Sequence, residues 1–181
     1  METLTRYLRA SLLALIVLGA SRPAQAEAPH SEAELTAVFL FNFGSFVEWP
    51  AAAMPENGEP FRIGVCGATE VAHALESVVA GERIRGHTIE VVRVRHRAEA
   101  QHCQILFIPP GDESIVPPNM LEERPILTVG ESDRFEAEGG MVRFLPERNR
   151  LRLRINLDPV KRAGLRINSQ LLRIAETRGG T

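Results

Sequence analysis

The chain has 181 residues, 44% of them hydrophobic and 24% charged, and a formal net charge of -2. That length suits one domain, the composition is globular, and the slightly acidic balance gives no general attraction for nucleic acid. Neither a Walker loop nor a complete dinucleotide fingerprint occurs, so nucleotide-dependent chemistry has no motif to rest on.

Residues 1–26 read as a secretory signal, with Arg6 and Arg9 as the basic start, Leu12 to Leu18 as the apolar centre and Ala24-Gln25-Ala26 as the cleavage site. The mature chain then begins at Glu27 and residues 27–181 form a single domain. Cleavage removes Glu2, Arg6, Arg9 and Arg22, taking the formal charge from -2 to -4. The apolar centre is shorter than the about 20 residues that span a bilayer, and no later run is both long and charge-free enough. A retained N-terminal anchor is the alternative. The expected location is the periplasm, where thiols can oxidise and nucleotide cofactors are scarce.

Ser31 and Glu34 have capping-box spacing, which starts a helix near Ser31. Leu35, Phe39, Phe43 and Phe46 fall on one helical stripe, whereas Val38, Leu40, Phe41 and Val47 lie off it, so this helix must be covered on more than one side. Pro50 disfavours helical geometry at Trp49, which is expected to leave the helix and fold back. Core packing is the plain reading of this aromatic run. A partly exposed tryptophan beside a proline also suits an interface anchor, because aromatic side chains are enriched among binding hot spots.

Phe61 to Gly67 reads as a buried strand ending in a glycine turn, and Thr69 to Val79 as a helix capped by Thr69 and stopped at Gly81. Thr88 to Arg95, Gln104 to Pro109 and Pro125 to Val129 are further strands. Met141 to Leu145 and Leu151 to Asn156 form an antiparallel hairpin. Period-two geometry turns Leu151, Leu153 and Ile155 to the core and Arg150, Arg152 and Arg154 the other way. Asp158-Pro159 is a helix start ended by Gly164, and Ser169 caps a last helix that packs Leu171, Leu172 and Ala175 inward. The predicted fold is α/β: a single three-layer domain, its mainly parallel or mixed sheet flanked by helices, with a C-terminal antiparallel hairpin.

Groups with chemical potential are few. Cys66 and Cys103 are the only cysteines, and an even count in an oxidising compartment suggests a bridge. If they lie on parallel neighbours, however, they stand at opposite ends, beyond the roughly 7 Å Cα separation a disulfide allows. His96, His102 and Cys103 lack tight metal-site spacing. No serine occupies a nucleophile elbow and no carboxylate pair marks a general acid and base, so no catalytic residue, cofactor or metal is expected. The turn after Val65 offers free N–H groups, but close packing explains Gly64 and Gly67 more simply. Lys161 is the sole lysine, and Arg143, Arg152 and Arg154 gather near the hairpin. Their face is either a solvated strand surface or a receiver for an acidic partner or anionic ligand.

In order and spacing, FLFNFGSFVEWP, FRIGVCG, ILTVGESDRFEAEGGMVRF and LRLRINLDPVKRAGLRINSQLLRIA resemble the YfiR family of envelope regulators. The likeness is carried by Phe39, Asn42, Phe43, Phe46, Glu48, Trp49 and Pro50, then Leu127 to Gly130, Phe135, Gly139 and Gly140. Asn156, Gly164, Leu165, Ser169, Leu171, Leu172 and Ala175 extend it to the end. Gly139 and Gly140 read as conformational, and Asn156 and Ser169 as helix-start residues. The resemblance implies a small periplasmic protein that holds down an inner-membrane diguanylate cyclase by contacting its periplasmic portion, lowering cyclic di-GMP and biofilm formation. It also implies a redox-sensitive pair at Cys66 and Cys103. The partner's identity stays open, other signalling proteins included, and both a monomer and a homodimer are compatible with it. A periplasmic small-ligand-binding module serving a sensor or transport system is the alternative, and an envelope hydrolase a weaker one.

Overall fold

A computed structural model of the chain describes residues 31–67, 69–147 and 150–179. The secretory signal read over residues 1–26 lies outside them. The first helix, α1 (Glu32–Phe46), starts as its sequence dictates: Ser31 Oγ accepts from Glu34 N at 3.1 Å, and Glu34 Oε2 from Ser31 N at 2.9 Å. It buries Ala37, Leu40, Phe43 and Gly44, and Phe39 and Phe43 meet Phe144 at ring-centroid distances of 5.8 and 6.0 Å. Gly44 is needed for space, since a Cβ there would stand 2.4 Å from Ile84 Cδ1.

The elements that follow are β1 (Val47–Glu48), β2 (Phe61–Cys66), α2 (Glu70–Val78), β3 (Arg83–Ile84), β4 (His87–Val94), α3 (Arg97–Ala100), β5 (Ile105–Ile108), β6 (Leu127–Gly130) and α4 (Asp133–Ala137). The chain continues with β7 (Val142–Glu147), β8 (Arg150–Asn156), α5 (Leu157–Arg162), β9 (Arg166–Ile167), α6 (Ser169–Ile174) and β10 (Ala175–Arg178). Eight strands form one mixed sheet in the order β10-β8-β7-β6-β5-β2-β4-β3, while β1 and β9 pair separately as a small antiparallel ladder. Five neighbouring pairs of the large sheet are parallel; β7 with β8 and β3 with β4 are antiparallel. The α/β class and the terminal hairpin expected from the sequence are both present.

Each face of the sheet buries its own core. On one, Leu40, Phe43, Leu75, Ile63, Phe107, Phe144 and Ile155 join α1 and α2 to the strands, with Val160 and Leu171 added by α5 and α6. The other holds Cys66, Val94, Cys103, Leu106, Ile108 and Phe135 beneath α3 and α4. Strand alternation explains the division: Leu153 and Ile155 are buried on the first face, so Arg152 and Arg154 point to the second.

Of the helix-start residues expected, Asn156 holds its place and Asp158 and Ser169 do not. Asn156 caps α5, its side chain accepting from Asp158 N at 3.3 Å. Asn168 rather than Ser169 caps α6, with Oδ1 accepting from Gln170 N and Leu171 N at 2.9 and 3.0 Å. Ser169 is the first helical residue. Among the matched glycines, Gly139 (φ 90°) and Gly164 (φ 70°) use backbone freedom. Gly140 serves another purpose than the conformational one expected: a Cβ there would lie 2.1 Å from Phe135 Cε1, so its bare Cα makes room for that ring, as Gly130 does at 2.5 Å.

Candidate functional site

Three places in the fold gather the residues singled out by the sequence. Trp49 does leave α1 and fold back, but it is 7% exposed and is not the partly exposed anchor expected. Its ring meets Phe61 edge-on at 5.2 Å, and its Nε1–H donates to the Gln104 carbonyl at 3.2 Å. Burial of an indole is stabilising only when that N–H finds an acceptor, which Gln104 supplies. The Gln104 side chain continues the clasp: its Oε1 accepts from Arg62 N at 2.8 Å and its Nε2 donates to Ala53 O at 3.2 Å. Pro50 follows as an exposed turn residue. Phe39, Asn42 and Phe46 are half-buried and Phe43 fully buried, so these motif residues build the seam between α1 and the sheet.

The arginine strip is not the free cationic surface expected. Arg143 is only 14% exposed, and its guanidinium donates to Glu136 at 2.8 Å, to Glu131 O at 3.1 Å and to Asp133. Arg154 donates to Glu136 at 3.2 Å and to Glu176 at 3.1 Å, and Arg152 also pairs with Glu176. Arg178 reaches Glu136 at 3.3 Å. Glu136, itself 10% exposed, thus ties α4, β7, β8 and the edge strand β10 together. Burial would push its carboxyl up, but donors from Arg143 and Arg154 overcome this and hold it below the usual carboxylate range. Exposed guanidinium surface persists at Arg152, whose side chain is 49% exposed. Reversing the charge of Arg152 and Arg154 would therefore break the chain's own lattice as well as any contact with a partner. Sequence reasoning passed over Glu136; the signal was an alternating arginine strand with no carboxylates of its own to compensate it.

Cys66 and Cys103 lie in one buried cluster on the same sheet face, yet both are free thiols, and the bridge suggested by their even count is not made. The register explains this: β2 and β5 are parallel with Val65 opposite Phe107, so Cys66 ends its strand while Cys103 precedes its neighbour. The Cys103 sulfur reaches under Gly64, where a Cβ would stand 2.8 Å away. Burial pushes the Cys66 thiol up to about 12, helped by Asp112 and Cys103. Burial likewise pushes Cys103 up to about 12 against the opposing influence of Arg62. Such thiols are protonated at neutral pH and are poor nucleophiles.

Other titratable groups serve as local ties. Glu113, 2% exposed, accepts from Gly111 N at 2.8 Å and from the Ser132 hydroxyl, joining the loops that follow β5 and β6. No group of three or more potential metal ligands, and no helix long and apolar enough to cross a membrane, occurs among the described residues.

Residues 33–176 match a family described as YfiR/HmsC-like, well over half of the chain. No curated protein matches at a significant level. Among solved structures, a conserved domain protein from Vibrio cholerae O1 biovar El Tor N16961 superimposes with a TM-score of 0.51 at 13% identity. That match covers 83% of this chain and 62% of the other, and at such identity it speaks for the fold alone.

Proposed function

Because the chain belongs to the YfiR/HmsC-like family, we propose that it is a periplasmic regulator that restrains an inner-membrane diguanylate cyclase, or a similar signalling protein, by binding its periplasmic portion. Cyclic di-GMP and biofilm formation fall as a result. The match over residues 33–176 carries this reading. Restraint by binding requires only that the inactive state of the partner bind more tightly than the active one. A bias from 1:99 to 99:1 takes about a 10⁴-fold difference in affinity. Rigid internal bracing of the kind built around Glu136 and Gln104 suits such a role, since a preorganised body loses less entropy on docking.

Redox control belongs to Cys66 and Cys103. Joining them requires the connection between α3 and β5 to carry Cys103 past Gly64 toward Cys66, so oxidation would reshape the second core. Alkylation of protein taken from the periplasm, with and without reductant, tests this arm: a difference of two thiols supports the bridge, and an unchanged count removes it. The binding arm is tested by titrating the mature chain into the periplasmic portion of a membrane diguanylate cyclase of its native host. Saturable binding is expected; its absence would refute direct restraint of that cyclase.

A further inference from the structure

The two edges of the large sheet are finished differently. On one side β10 is only four residues long and carries Glu176 and Arg178, the short and charged form that discourages pairing with another chain. On the other side β3 covers β4 only at His87 and Thr88, so from Ile89 to Val94 no strand lies beyond β4 among the described residues. The Val94 carbonyl accepts from Gly67 N at 3.0 Å, which turns the Val94 backbone toward β2. Successive residues of a parallel ladder alternate in direction, so Ile89, Val91 and Arg93 send their N–H and C=O groups outward. The next outward position is closed, because Arg95 N donates to Glu99 Oε2 at 2.7 Å. The open stretch IEVVRV is rich in β-branched residues, and its two charges are neutralised on the sheet faces: Glu90 by Arg62 at 2.8 Å and Arg93 by Glu76 at 2.9 Å. Neither a proline, a bulge nor an uncompensated charge guards this edge.

We infer that a second copy of this chain covers the edge, its own β4 added antiparallel around a two-fold axis at Val92. Symmetry and space select that register. An axis at Val91 would put Val94 of the second copy opposite Thr88, where Arg83 of β3 already lies. Centred on Val92, the outward groups of Val91 and Arg93 exchange bonds with those of Arg93 and Val91 of the second copy. Val92 then meets its own copy, Glu90 lies opposite Val94, and no like charges stand directly opposite one another. The two copies of Arg93 sit diagonally, each keeping its Glu76. A second copy thus offers a strand of matching length, β-branched and without net charge. The inference is independent of the restraint proposed above, since it concerns the mature chain alone and the sheet edge opposite the lattice around Glu136.

Sedimentation of the mature chain over a concentration series tests the inference, and a species of twice the monomer mass is expected. Val91→Pro removes an outward N–H and spares the ladder to β2, so it should raise the dissociation constant about tenfold or more with the far-UV spectrum unchanged. Cysteine variants read the register without altering the backbone. At the axis Val92 and its copy form a non-hydrogen-bonded pair with Cα atoms about 4.5 Å apart, within disulfide range, so Val92→Cys should cross-link under mild oxidation. Thr88→Cys, exposed on the same strand but more than about 20 Å from its copy, should not. The native Cys66 and Cys103 are buried and leave the comparison clean. A monomer at every concentration up to about 100 µM, an undiminished dimer in folded Val91→Pro, or Val92→Cys that links no better than Thr88→Cys would overturn it. So would amide exchange at Ile89, Val91 and Arg93 that slows only when the periplasmic portion of a cyclase is added, which would give the edge to a strand of that partner.

Discussion

Replacing Glu136 by Gln tests the bracing of the C-terminal sheet most sharply. Gln keeps the length of the side chain and one carbonyl acceptor, but removes the charge that faces Arg143, Arg154 and Arg178. Removing one partner of a fully buried pair costs about 3–5 kcal/mol because the other charge stays desolvated. Here Glu136 is 10% and Arg143 14% exposed, yet Arg178 is 70% exposed and Arg143 keeps Asp133. Solvent therefore absorbs part of the loss, and about 2 kcal/mol is expected. With a urea dependence of about 1–3 kcal/mol per molar, the unfolding midpoint should fall by about 1 M. The carboxyl of Glu136 is held low in the folded state, so its contribution is present above the unfolded value of about 4.3. It disappears as pH falls through the folded value. The gap between wild type and variant should accordingly be full at pH 7 and close in acid. A gap below about 0.5 kcal/mol at pH 7, the scatter of ordinary surface changes, would refute the bracing role. So would a gap that stays constant into acid.

The other core contacts give shorter tests. Gly64→Ala places a Cβ 2.8 Å from Cys103 Sγ and 2.9 Å from Leu106 Cδ1, which should cost about 1–3 kcal/mol in denaturant unfolding. Cys103→Ala in the same chain should recover part of it, and strict additivity would show that the two do not touch. In reduced, native protein at neutral pH, iodoacetamide should modify neither cysteine, and both after denaturation; rapid native labelling in mass spectra would contradict their burial and raised pKa values. Trp49→Phe keeps a ring against Phe61 but removes the donor to Gln104, so thermal unfolding should report about 1–2 kcal/mol lost. An unchanged midpoint would mean that the clasp contributes nothing.

What the sequence makes legible follows from local chemistry. The capping box at Ser31 and Glu34, the apolar runs of β2 and β5, and the alternation of β8 each act within a few residues, and the structure uses them as written. Elements that depend on distant partners were not readable. Strand β10, AETR, carries no apolar period; it lies beside β8, held also by Glu176 and Arg178 in the ion lattice. The two-residue ladder of β1 and β9 is too short for any pattern. Neighbouring Asn168 and Ser169 are both competent caps, and only the backbone path chooses between them. Period two located the guanidinium groups of Arg152 and Arg154, but their carboxylates come from distant elements, Glu176 of β10 for both and Glu136 of α4 for Arg154, so the strand's own pattern does not name them. Trp49 was rightly taken out of the helix; its acceptor, the Gln104 carbonyl, is 55 residues away.

Restraint of a membrane diguanylate cyclase from the periplasm is tested most directly by deleting the gene in its native host and measuring intracellular cyclic di-GMP. The level should rise, and expression of the exported chain should return it to the starting value. An unchanged level after deletion, or restoration by a form retained in the cytoplasm, would contradict the account.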